Sequence, residues 1–346
     1  MLKEIRNKIE KSLTVYLKEL DSLFSLKKTS PLLFAHIQEF TAREGKRVRP
    51  ALFVAAYLGF AKKEAPGLYT SALSLELLHD FMLVHDDIID KSELRRGRPS
   101  MHTMLNRYLA RFYAARFNGQ DMAIVIGDVM YALALHSFLA IRVDKERKEK
   151  ALKKLIEAAL YTGTGECIEL LTGIKPIEKT TLAEIYRIYD LKTACYTFAS
   201  PLCMGAILAG ASDREARKLY RYGMTLGRAF QIKDDYLGMF SDEKETGKSA
   251  LSDIREAKKT VLIWYAYLHT DAKNRTRMKT ILGKDRAGFE DLKAIRAIVT
   301  ASGSLAHAKK EIHILRARAE RILASSRISP RYKEALNAYA AQIVGV

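Results

Sequence analysis

The stretch LVHDDIIDKSELRRGRPSMH, residues 83–102, ends an apolar segment with three acidic side chains. Apolar residues recur at three- and four-residue spacing over residues 68–89, which predicts a helix. Because a helical turn takes 3.6 residues, Asp86 and Asp90 share one face, about 6 Å apart along the axis. Two carboxylates this close repel each other unless a cation lies between them. Oxygen ligands of this kind suit Mg²⁺, which proteins often share with substrate phosphates.

Two arginines follow these acids directly. The forked donors of Arg95 and Arg96 match the oxygens of a phosphate group. A lone DDxxD pattern also fits an acidic helix end whose charges are simply solvated. The apolar helix before the acids and the paired arginines after them favour a site for a phosphorylated ligand.

A second acidic pair stands in FQIKDDYLG, residues 230–238. Asp234 and Asp235 again end an apolar helical stretch, and Gln231 lies one turn before Asp234 on the same face. The following segment, ETGKSALSDIREAKKT at residues 245–260, supplies Lys248 and Lys258 as charges that could contact phosphates. Two acid pairs with basic residues nearby are harder to explain as solvated helix ends than one.

A third signal is the basic turn EGKRVRP, residues 44–50. Lys46, Arg47 and Arg49 crowd the start of a predicted helix, where the helix dipole and the unpaired backbone N–H groups favour an anion. This signal is weak alone, because many basic turns look similar.

Helical periodicity covers almost the whole chain, and strand signals are nearly absent. No linker rich in Pro, Gly or Ser and no fixed repeat divides the chain. We therefore expect one all-α domain over residues 1–346, a large helical bundle with its site in a central cavity. Helices are predicted over residues 2–24, 52–60, 68–89, 122–141, 150–171, 182–210, 213–240, 258–268, 292–300, 305–324 and 330–344.

The formal net charge of +18 predicts an anionic partner or a basic solvated surface. Residues 251–346 contribute 19 Lys and Arg against 9 Asp and Glu. Nucleic acid is not the expected partner, because no reader module or aromatic-basic pattern is present. The expected anionic partner is therefore a phosphorylated small molecule or an acidic membrane surface.

The three cysteines, at positions 167, 195 and 203, form no CxxC pair, which fits a reducing cytoplasmic location. The first twenty residues alternate charges and lack an apolar signal core. The most apolar stretch, residues 122–141, contains Asp128 and His136 and predicts a buried helix rather than a transmembrane segment.

Taken in order, these motifs resemble the trans-prenyl diphosphate synthases, over about residues 44–262. DDIID at residues 86–90 looks like the family's first aspartate-rich motif, DDYLG at 234–238 like the second, and GKRVRP like its isopentenyl diphosphate turn. YDLKTA, IGDVM and GECIEL are similar to further family segments. The resemblance implies an isoprenoid-synthase-like bundle that condenses isopentenyl diphosphate with an allylic diphosphate, such as dimethylallyl, geranyl or farnesyl diphosphate, and releases diphosphate.

The resemblance also implies a role for each matching residue. Several Mg²⁺ ions per site would be held mainly by Asp86, Asp90 and Asp234. The catalytic residues would be Asp86, Asp87, Asp90, Asp234, Asp235 and Lys192. Isopentenyl diphosphate would be bound by Lys46, Arg49, His79 and Arg96. The allylic diphosphate would be bound by Arg95, Lys192, Thr193, Gln231, Lys248 and Lys258.

Chain length should depend on the residues below the first aspartate motif. Met82 lies one turn before Asp86, and Phe81 lies five residues before it, where a bulky aromatic in the family acts as a floor. A single aromatic there resembles the archaeal-type geranylgeranyl synthases. Helix geometry puts Phe81 about 140° round from Asp86, so a floor at Phe81 needs help from a neighbouring helix.

Alternatives remain open at this point. Farnesyl or longer-chain products, a terpene cyclase, or an inactive partner subunit share parts of this pattern. A cyclase usually replaces the second Asp pair and has no use for an isopentenyl turn, and inactive partners typically lose one Asp motif. The chain departs from the family pattern at Gly238, Glu44 and Glu166. The resemblance further implies a homodimer, and release of a lipid product would allow transient membrane contact.

Overall fold

The computed structural model describes residues 1–241, 251–284 and 286–345, and nearly all of its regular structure is helical. The predicted all-α class is confirmed. A 3₁₀ turn at Ile177–Lys179 and a π-helix at Tyr189–Ala199 accompany the α-helices. In chain order these are α1 (Leu2–Phe24), α2 (Leu26–Thr29), α3 (Pro31–Thr41), α4 (Val48–Phe60), α5 (Leu68–Ile89), α6 (Met101–Leu109), α7 (Gly119–Phe138), α8 (Lys145–Ile174), α9 (Leu182–Ile188), α10 (Ser200–Leu208), α11 (Asp213–Phe240), α12 (Ser252–Arg255), α13 (Val261–Leu268), α14 (Ala272–Leu282), α15 (Phe289–Ala301), α16 (Ser304–Ala324) and α17 (Pro330–Val344).

Helix starts depend on caps that apolar periodicity does not reveal. Helix α7 begins at Gly119, three residues before the predicted start. The side chain of Asn118 accepts the N–H of Asp121 at 3.0 Å, and the Asp121 carboxylate accepts the N–H of Asn118 at 2.8 Å. This reciprocal capping box satisfies two backbone donors that a helix start leaves unpaired.

A short hairpin follows α5. Strands β1 (Leu94–Arg95) and β2 (Arg98–Pro99) pair antiparallel, with Arg95 opposite Arg98. The two turn residues, Arg96 and Gly97, both have positive φ, 56° and 71°. Such a two-residue turn matches the twist of paired strands. The hairpin places the adjacent arginines 95 and 96 on a strand end and a turn, instead of on a continuous helix.

The chain forms two compact units, and the first contains residues 1–153 and 204–211. Helix α5 is its centre, and Leu73, Leu75 and Leu77 are almost fully buried there. At Gly205 an added Cβ would lie 2.2 Å from the carbonyl oxygen of Phe53, so this end of α10 touches the backbone of α4. The burial of α5 explains why its apolar pattern surrounds the whole helix.

The second unit contains the described residues of 154–203 and 212–345. Helix α11 packs closely on the π-helix there. A Cβ at Gly227 would lie 2.4 Å from Cα of Ala194, and one at Gly223 would lie 2.5 Å from Cα of Ala199. Glycines four residues apart on one face allow this approach. That the two units form a single domain stays a prediction.

The single helix predicted over residues 182–210 is wrong in detail. Helix α9 starts at a capping box between Thr181 and Glu184, continues into the π-helix, and returns to α-helical geometry in α10. A π-helix is rare and is often found at functional sites, because it shifts side chains round the helix axis. Lys192 and Thr193 lie within it.

Two helical stretches, Gly119–Phe138 and Leu182–Leu208, are long and apolar enough to cross a membrane by length and composition alone. This is a weak indication, because core helices of soluble proteins pass the same test. Of the most apolar windows, 44% and 78% are buried. Helix α7 buries Ile126, Met130 and Phe138, as the sequence predicts. The cytoplasmic location stays a prediction.

Candidate active site

The first aspartate motif lies at the end of α5, in the first unit. The N–H of Asp90 donates to the carbonyl oxygen of Asp86 at 2.8 Å, so the last helical turn holds both residues on one face. Both side chains are half-buried, whereas Asp87 is fully buried. Two partly accessible carboxylates one turn apart are suitable ligands for a hard divalent cation.

Arg95 connects the hairpin to this motif. Its Nε donates to Oδ1 of Asp87 at 2.8 Å, and its Nη2 donates to Oδ2 of Asp86 at 3.0 Å. Only 7% of Arg95 is exposed. A charge-assisted fork of this kind fixes both partners. Asp87 is therefore buried against an arginine, while Asp86 and Asp90 are the more accessible carboxylates.

The basic turn before α4 contains side chains with different environments. Arg47 is 2% exposed and donates to Glu10 at 2.8 Å and to Glu76 at 2.7 Å. It also donates to the carbonyl oxygens of Thr41 and Arg43. Buried ion pairs of this kind hold elements together and leave little capacity for a ligand. Lys46 is exposed and Arg49 is half-buried, so the two predicted ligands of this turn are the accessible cations.

His79 and Arg96 lie near this turn in the first unit. Burial and the nearby charge of Arg49 hold the pKa of His79 well below its usual range, so its ring is neutral at pH 7. Arg96 lies 3.7 Å from Glu76 and 3.6 Å from Asp80, measured from Nη2 to the carboxylate oxygens. Asp80 was not among the predicted site residues. The sequence feature that could have identified Asp80 is an acidic residue in the middle of an otherwise apolar helix.

Phe81 contacts the neighbouring helix α7. Its ring centroid lies 5.2 Å from that of Tyr131 and 4.7 Å from that of His85. Gly127 makes room for this layer, since a Cβ there would lie 2.6 Å from Nε2 of His85. The neighbouring helix that a floor at Phe81 requires is thus α7, and Tyr131 is the aromatic that the sequence did not identify. Met82 is half-buried on the same turn of α5.

The second aspartate motif lies near the end of α11, in the second unit. Asp234 is exposed, whereas Asp235 is 8% exposed. Asp235 accepts hydrogen bonds from Nε2 of Gln231 at 2.8 Å and from the phenol of Tyr189. Oγ1 of Thr193 donates to Oε1 of Gln231 at 2.6 Å. Three predicted residues, Thr193, Gln231 and Asp235, are therefore joined in one chain of hydrogen bonds.

Tyr189 anchors this chain of hydrogen bonds from the π-helix. Burial and the charge of Asp235 hold the pKa of Tyr189 well above its usual range, so the phenol keeps its proton and donates it. The same oxygen accepts the N–H of Val261 at 3.0 Å. Tyr189 is the first residue of the YDLKTA segment, but the sequence did not indicate a role for it, because a tyrosine at helical spacing is usually core.

Lys192 lies between two carboxylates of α8. Its Nζ lies 2.6 Å from Oε2 of Glu166 and also donates to Glu169. At Gly165 a Cβ would lie 2.7 Å from the backbone nitrogen of Lys192, so this glycine lets α8 approach the π-helix. The two glutamates come from the segment GECIEL, whose sequence pattern indicated no definite role.

The last predicted cations follow α11. Lys258 pairs with Glu256 at 2.6 Å. Its neighbour Lys259 is 8% exposed and donates to the carbonyl oxygen of Gly173, and burial lowers the pKa of Lys259 to about 8. Lys248 lies outside the described residues.

The first unit thus brings together Lys46, Arg49, His79, Asp86, Asp90, Arg95 and Arg96 around α5. The second brings together Lys192, Thr193, Gln231, Asp234 and Asp235 around α11 and the π-helix. The predicted isopentenyl diphosphate ligands all lie in the first unit, whereas the predicted metal ligands and allylic diphosphate ligands have members in both units. The role of each residue stays a prediction.

These helices with aspartate-rich ends and nearby cations are typical of enzymes that act on prenyl diphosphates. The chain belongs to the polyprenyl synthetase family, because the family model described as Polyprenyl synthetase matches residues 30–299. The enzyme class predicted from the motifs, a prenyltransferase, is confirmed.

Relatives and solved structures agree with this assignment. The chain is 32% identical over 308 residues to a short chain isoprenyl diphosphate synthase of Methanocaldococcus jannaschii, covering 89% of this chain and 84% of the relative. It is 33% identical over 299 residues to a geranylfarnesyl diphosphate synthase of Aeropyrum pernix, covering 85% and 87%. A crystal structure of geranylgeranyl pyrophosphate synthase from Corynebacterium glutamicum, complexed with isoprenyl diphosphate and magnesium, matches with a TM-score of 0.91 at 26% identity, covering 100% and 99%.

Proposed function

We propose that the protein joins isopentenyl diphosphate head to tail to an allylic diphosphate, releases diphosphate, and makes mainly geranylgeranyl diphosphate. The observation that carries this proposal is the arrangement of helix α5. His79 and Asp86 lie seven residues apart, on nearly the same face and about 10 Å apart along the axis. A single rigid helix can therefore hold a group for each substrate at a fixed spacing.

The basic residues near His79 suit isopentenyl diphosphate. Arg49 and Arg96 carry permanent charges that would bind the diphosphate oxygens, and exposed Lys46 would add a third cation. His79 is neutral at pH 7 and can form a hydrogen bond without adding charge. Holding the diphosphate in this way would direct the alkene towards the reacting carbon.

The acidic end suits a divalent metal. Asp86 and Asp90 offer hard oxygen ligands on one helical face, and Asp234 is an accessible carboxylate of the second motif. These three residues would hold Mg²⁺, which when bound neutralises negative charge on a leaving diphosphate. Further positive charge would come from Arg95, Lys192 and Lys258, and Lys248 belongs to the same proposal.

The remaining chemistry requires few protein groups. Cleavage of the allylic C–O bond leaves a carbocation, which the alkene of isopentenyl diphosphate attacks. A proton is then lost, and the departing diphosphate can accept it, so no separate protein base is needed. The apolar residues around α5 would exclude water from the cation. Gln231 and Thr193 would position the allylic diphosphate through the hydrogen bonds that fix them to Asp235.

Product length is the finer part of the proposal. Phe81 and Tyr131 form an aromatic layer between α5 and α7, five residues before the first aspartate. Such a layer would stop a growing tail at about twenty carbons. The names of relatives include farnesyl, geranylgeranyl and geranylfarnesyl synthases, whose product lengths lie below, at and above this length.

A homodimer is proposed from the apolar surface of two helices. Ile124 and Val125 of α7 are 44% and 57% exposed. On α8, Leu160 and Ile174 are 63% and 84% exposed. Apolar side chains exposed in this number favour association with a second copy. Light scattering coupled to size-exclusion chromatography should give twice the chain mass of 39.1 kDa.

The test is a product assay with purified protein. The protein would be incubated with isopentenyl diphosphate, Mg²⁺ and one of dimethylallyl, geranyl or farnesyl diphosphate, and the products sized by mass spectrometry. Products that grow in five-carbon steps up to twenty carbons, only with metal, support the proposal. Cyclised hydrocarbon would point to a cyclase, and absence of turnover to an inactive partner subunit. Products beyond twenty carbons would overturn only the proposed length.

A further inference from the structure

Asp80 is a buried carboxylate in the first unit that the reaction outlined above does not use. It lies on α5 directly after His79 and has no exposed surface. Neither of its carboxylate oxygens accepts a hydrogen bond from the residues that the structure describes. Buried carboxylates are usually paired and hydrogen-bonded, because desolvation of an unpaired charge is costly. This carboxylate therefore requires an explanation.

The charges around Asp80 come from three elements. On α5 itself are Glu76, one turn earlier, and neutral His79. From the turn before α4 come Arg47 and Arg49, and from the hairpin comes Arg96, with Nη2 3.6 Å from Asp80 and 3.7 Å from Glu76. Arg47 is already paired with Glu76 and with Glu10 of α1. The two buried carboxylates thus share Arg96.

The protonation of Asp80 depends on this sharing. Burial and the adjacent charge of Glu76 raise the pKa of Asp80 to about 8, against the opposing effect of Arg96, Arg47 and Arg49. Near pH 8 a small change in the surrounding charge will therefore decide whether the carboxyl group holds a proton. Nη1 of Arg96 is also buried and makes no hydrogen bond within the described part of the chain. The position of Arg96 is thus not fixed by hydrogen bonds at that nitrogen.

We propose that Asp80 takes up one proton from solvent when the diphosphate of isopentenyl diphosphate binds at Arg96 and Arg49. The inference rests on the proposed function, which assigns this substrate to those arginines. A bound diphosphate adds negative charge and draws Arg96 away from sharing its charge with the carboxylates. A neutral Asp80 relieves the repulsion. Asp80 acts on the substrate through Arg96 and is a positioning residue.

The proposal predicts a specific pH dependence. Above pH 8 free protein carries an ionised Asp80, so binding must take a proton from solvent. The apparent affinity for isopentenyl diphosphate should then weaken by up to about tenfold per pH unit. Near pH 6.5 Asp80 is already protonated, and uptake at this group should vanish. Affinity for the allylic diphosphate should not show this dependence, because Asp80 lies beside Arg96, a proposed ligand of isopentenyl diphosphate and not of the allylic diphosphate.

Isothermal titration of isopentenyl diphosphate into the protein measures the proton directly. At pH 8.5–9, titrations in buffers of different ionisation enthalpy should show uptake approaching one proton, which Asp80→Asn should abolish. Asp80→Asn should also keep its affinity for isopentenyl diphosphate as pH rises. Ser74→Ala is the matched control, because Ser74 is a buried polar residue of the same helix whose hydroxyl finds no partner among the described residues. It should behave as wild type.

The outcomes separate this inference from the proposed function. Binding of isopentenyl diphosphate without proton uptake at pH 8.5–9 would overturn the role of Asp80 and leave the proposed function intact. Uptake that persists unchanged in Asp80→Asn would do the same. No binding and no turnover of isopentenyl diphosphate would overturn both. If Asp80→Asn fails to fold, the wild-type titration still decides, because uptake near zero contradicts the proposal.

Discussion

The phenol of Tyr189 donates a hydrogen bond to the carboxylate of Asp235, and its oxygen also accepts the backbone N–H of Val261 at 3.0 Å. One buried side chain thereby joins the π-helix to the second aspartate motif and to the start of α13. Asp235 in turn fixes Gln231, which accepts from Thr193. The geometry of three predicted site residues therefore depends on Tyr189, the first residue of the YDLKTA segment, for which no role was predicted.

Tyr189→Phe should destabilise the protein by about 1.5–3 kcal/mol, because it removes a buried hydrogen bond to a charged group and leaves the Val261 N–H without its acceptor. Urea unfolding measures the loss. Tyr186→Phe is the matched control, since its phenol lies 3.4 Å from Glu311 in a partly buried pair, and it should cost less than about 0.5 kcal/mol. Equal losses in the two variants would contradict the anchoring role of Tyr189.

Gly227→Ala should cost about 2 kcal/mol or more, because the new Cβ would lie 2.4 Å from Cα of Ala194 and force α11 away from the π-helix. Gly163→Ala provides the comparison, because it is also inside a helix and its Cβ would meet nothing within 4 Å. That change should stabilise by about 0.5–1 kcal/mol. Changes of opposite sign in the unfolding free energy, measured by thermal or urea unfolding, would support the close packing. If both substitutions stabilised the protein, the close packing would be contradicted.

Phe81→Ala should lengthen the product beyond twenty carbons, because it opens the aromatic layer between α5 and α7. Tyr131→Ala should act in the same direction, since the ring centroids lie only 5.2 Å apart. Mass spectrometry of the products made from farnesyl diphosphate reads chain length. Phe112→Ala is the control, because Phe112 is an aromatic residue that is 54% exposed, and it should leave product length unchanged. An unaltered product length from Phe81→Ala would show that Phe81 does not limit chain length.

Asp86→Asn should lower kcat/KM by about 10²-fold or more, because it weakens a proposed metal ligand that acts on the leaving diphosphate. Chelation of divalent metal should abolish turnover, and added Mg²⁺ should restore it. Glu149→Gln, which removes an exposed carboxylate paired with Lys153, should retain wild-type kinetics. Steady-state rates at varied Mg²⁺ concentration test the assignment. A variant with normal activity at low Mg²⁺ would exclude Asp86 as a ligand.

Asp80 should also make stability depend on pH. Its ordinary pKa of 3.8 rises to about 8 in the folded protein, so between these values the folded chain binds the extra proton. This contribution to the unfolding free energy falls as pH rises, by at most about 1.4 kcal/mol per pH unit, and is constant above pH 8. Asp80→Asn removes the contribution. Urea unfolding should show that the unfolding free energy of Asp80→Asn, relative to wild type, is larger at pH 8 than at pH 5. A difference in unfolding free energy that does not depend on pH would contradict this.

Much of the architecture follows from local patterns. The three- and four-residue spacing predicted most of the long helices, since a buried stripe must recur once per turn. The aspartate pairs stood out because acids are rare at the ends of apolar helices. The π-helix could not be predicted, because its sequence keeps ordinary helical spacing and the geometry depends on packing against Gly165, Gly223 and Gly227.

The sequence by itself determined the helical class, the motifs and the family, because these depend on residue type and spacing along the chain. Only the tertiary structure decided which side chains are buried and paired with one another and which are accessible to a ligand. Arg47 is buried against Glu76 while Arg49, two residues later, is half-buried. Tyr131 meets Phe81 from another helix, and Asp80 shares Arg96 with Glu76. Burial and charge pairing are properties of neighbours in space, and spacing along one chain cannot specify them.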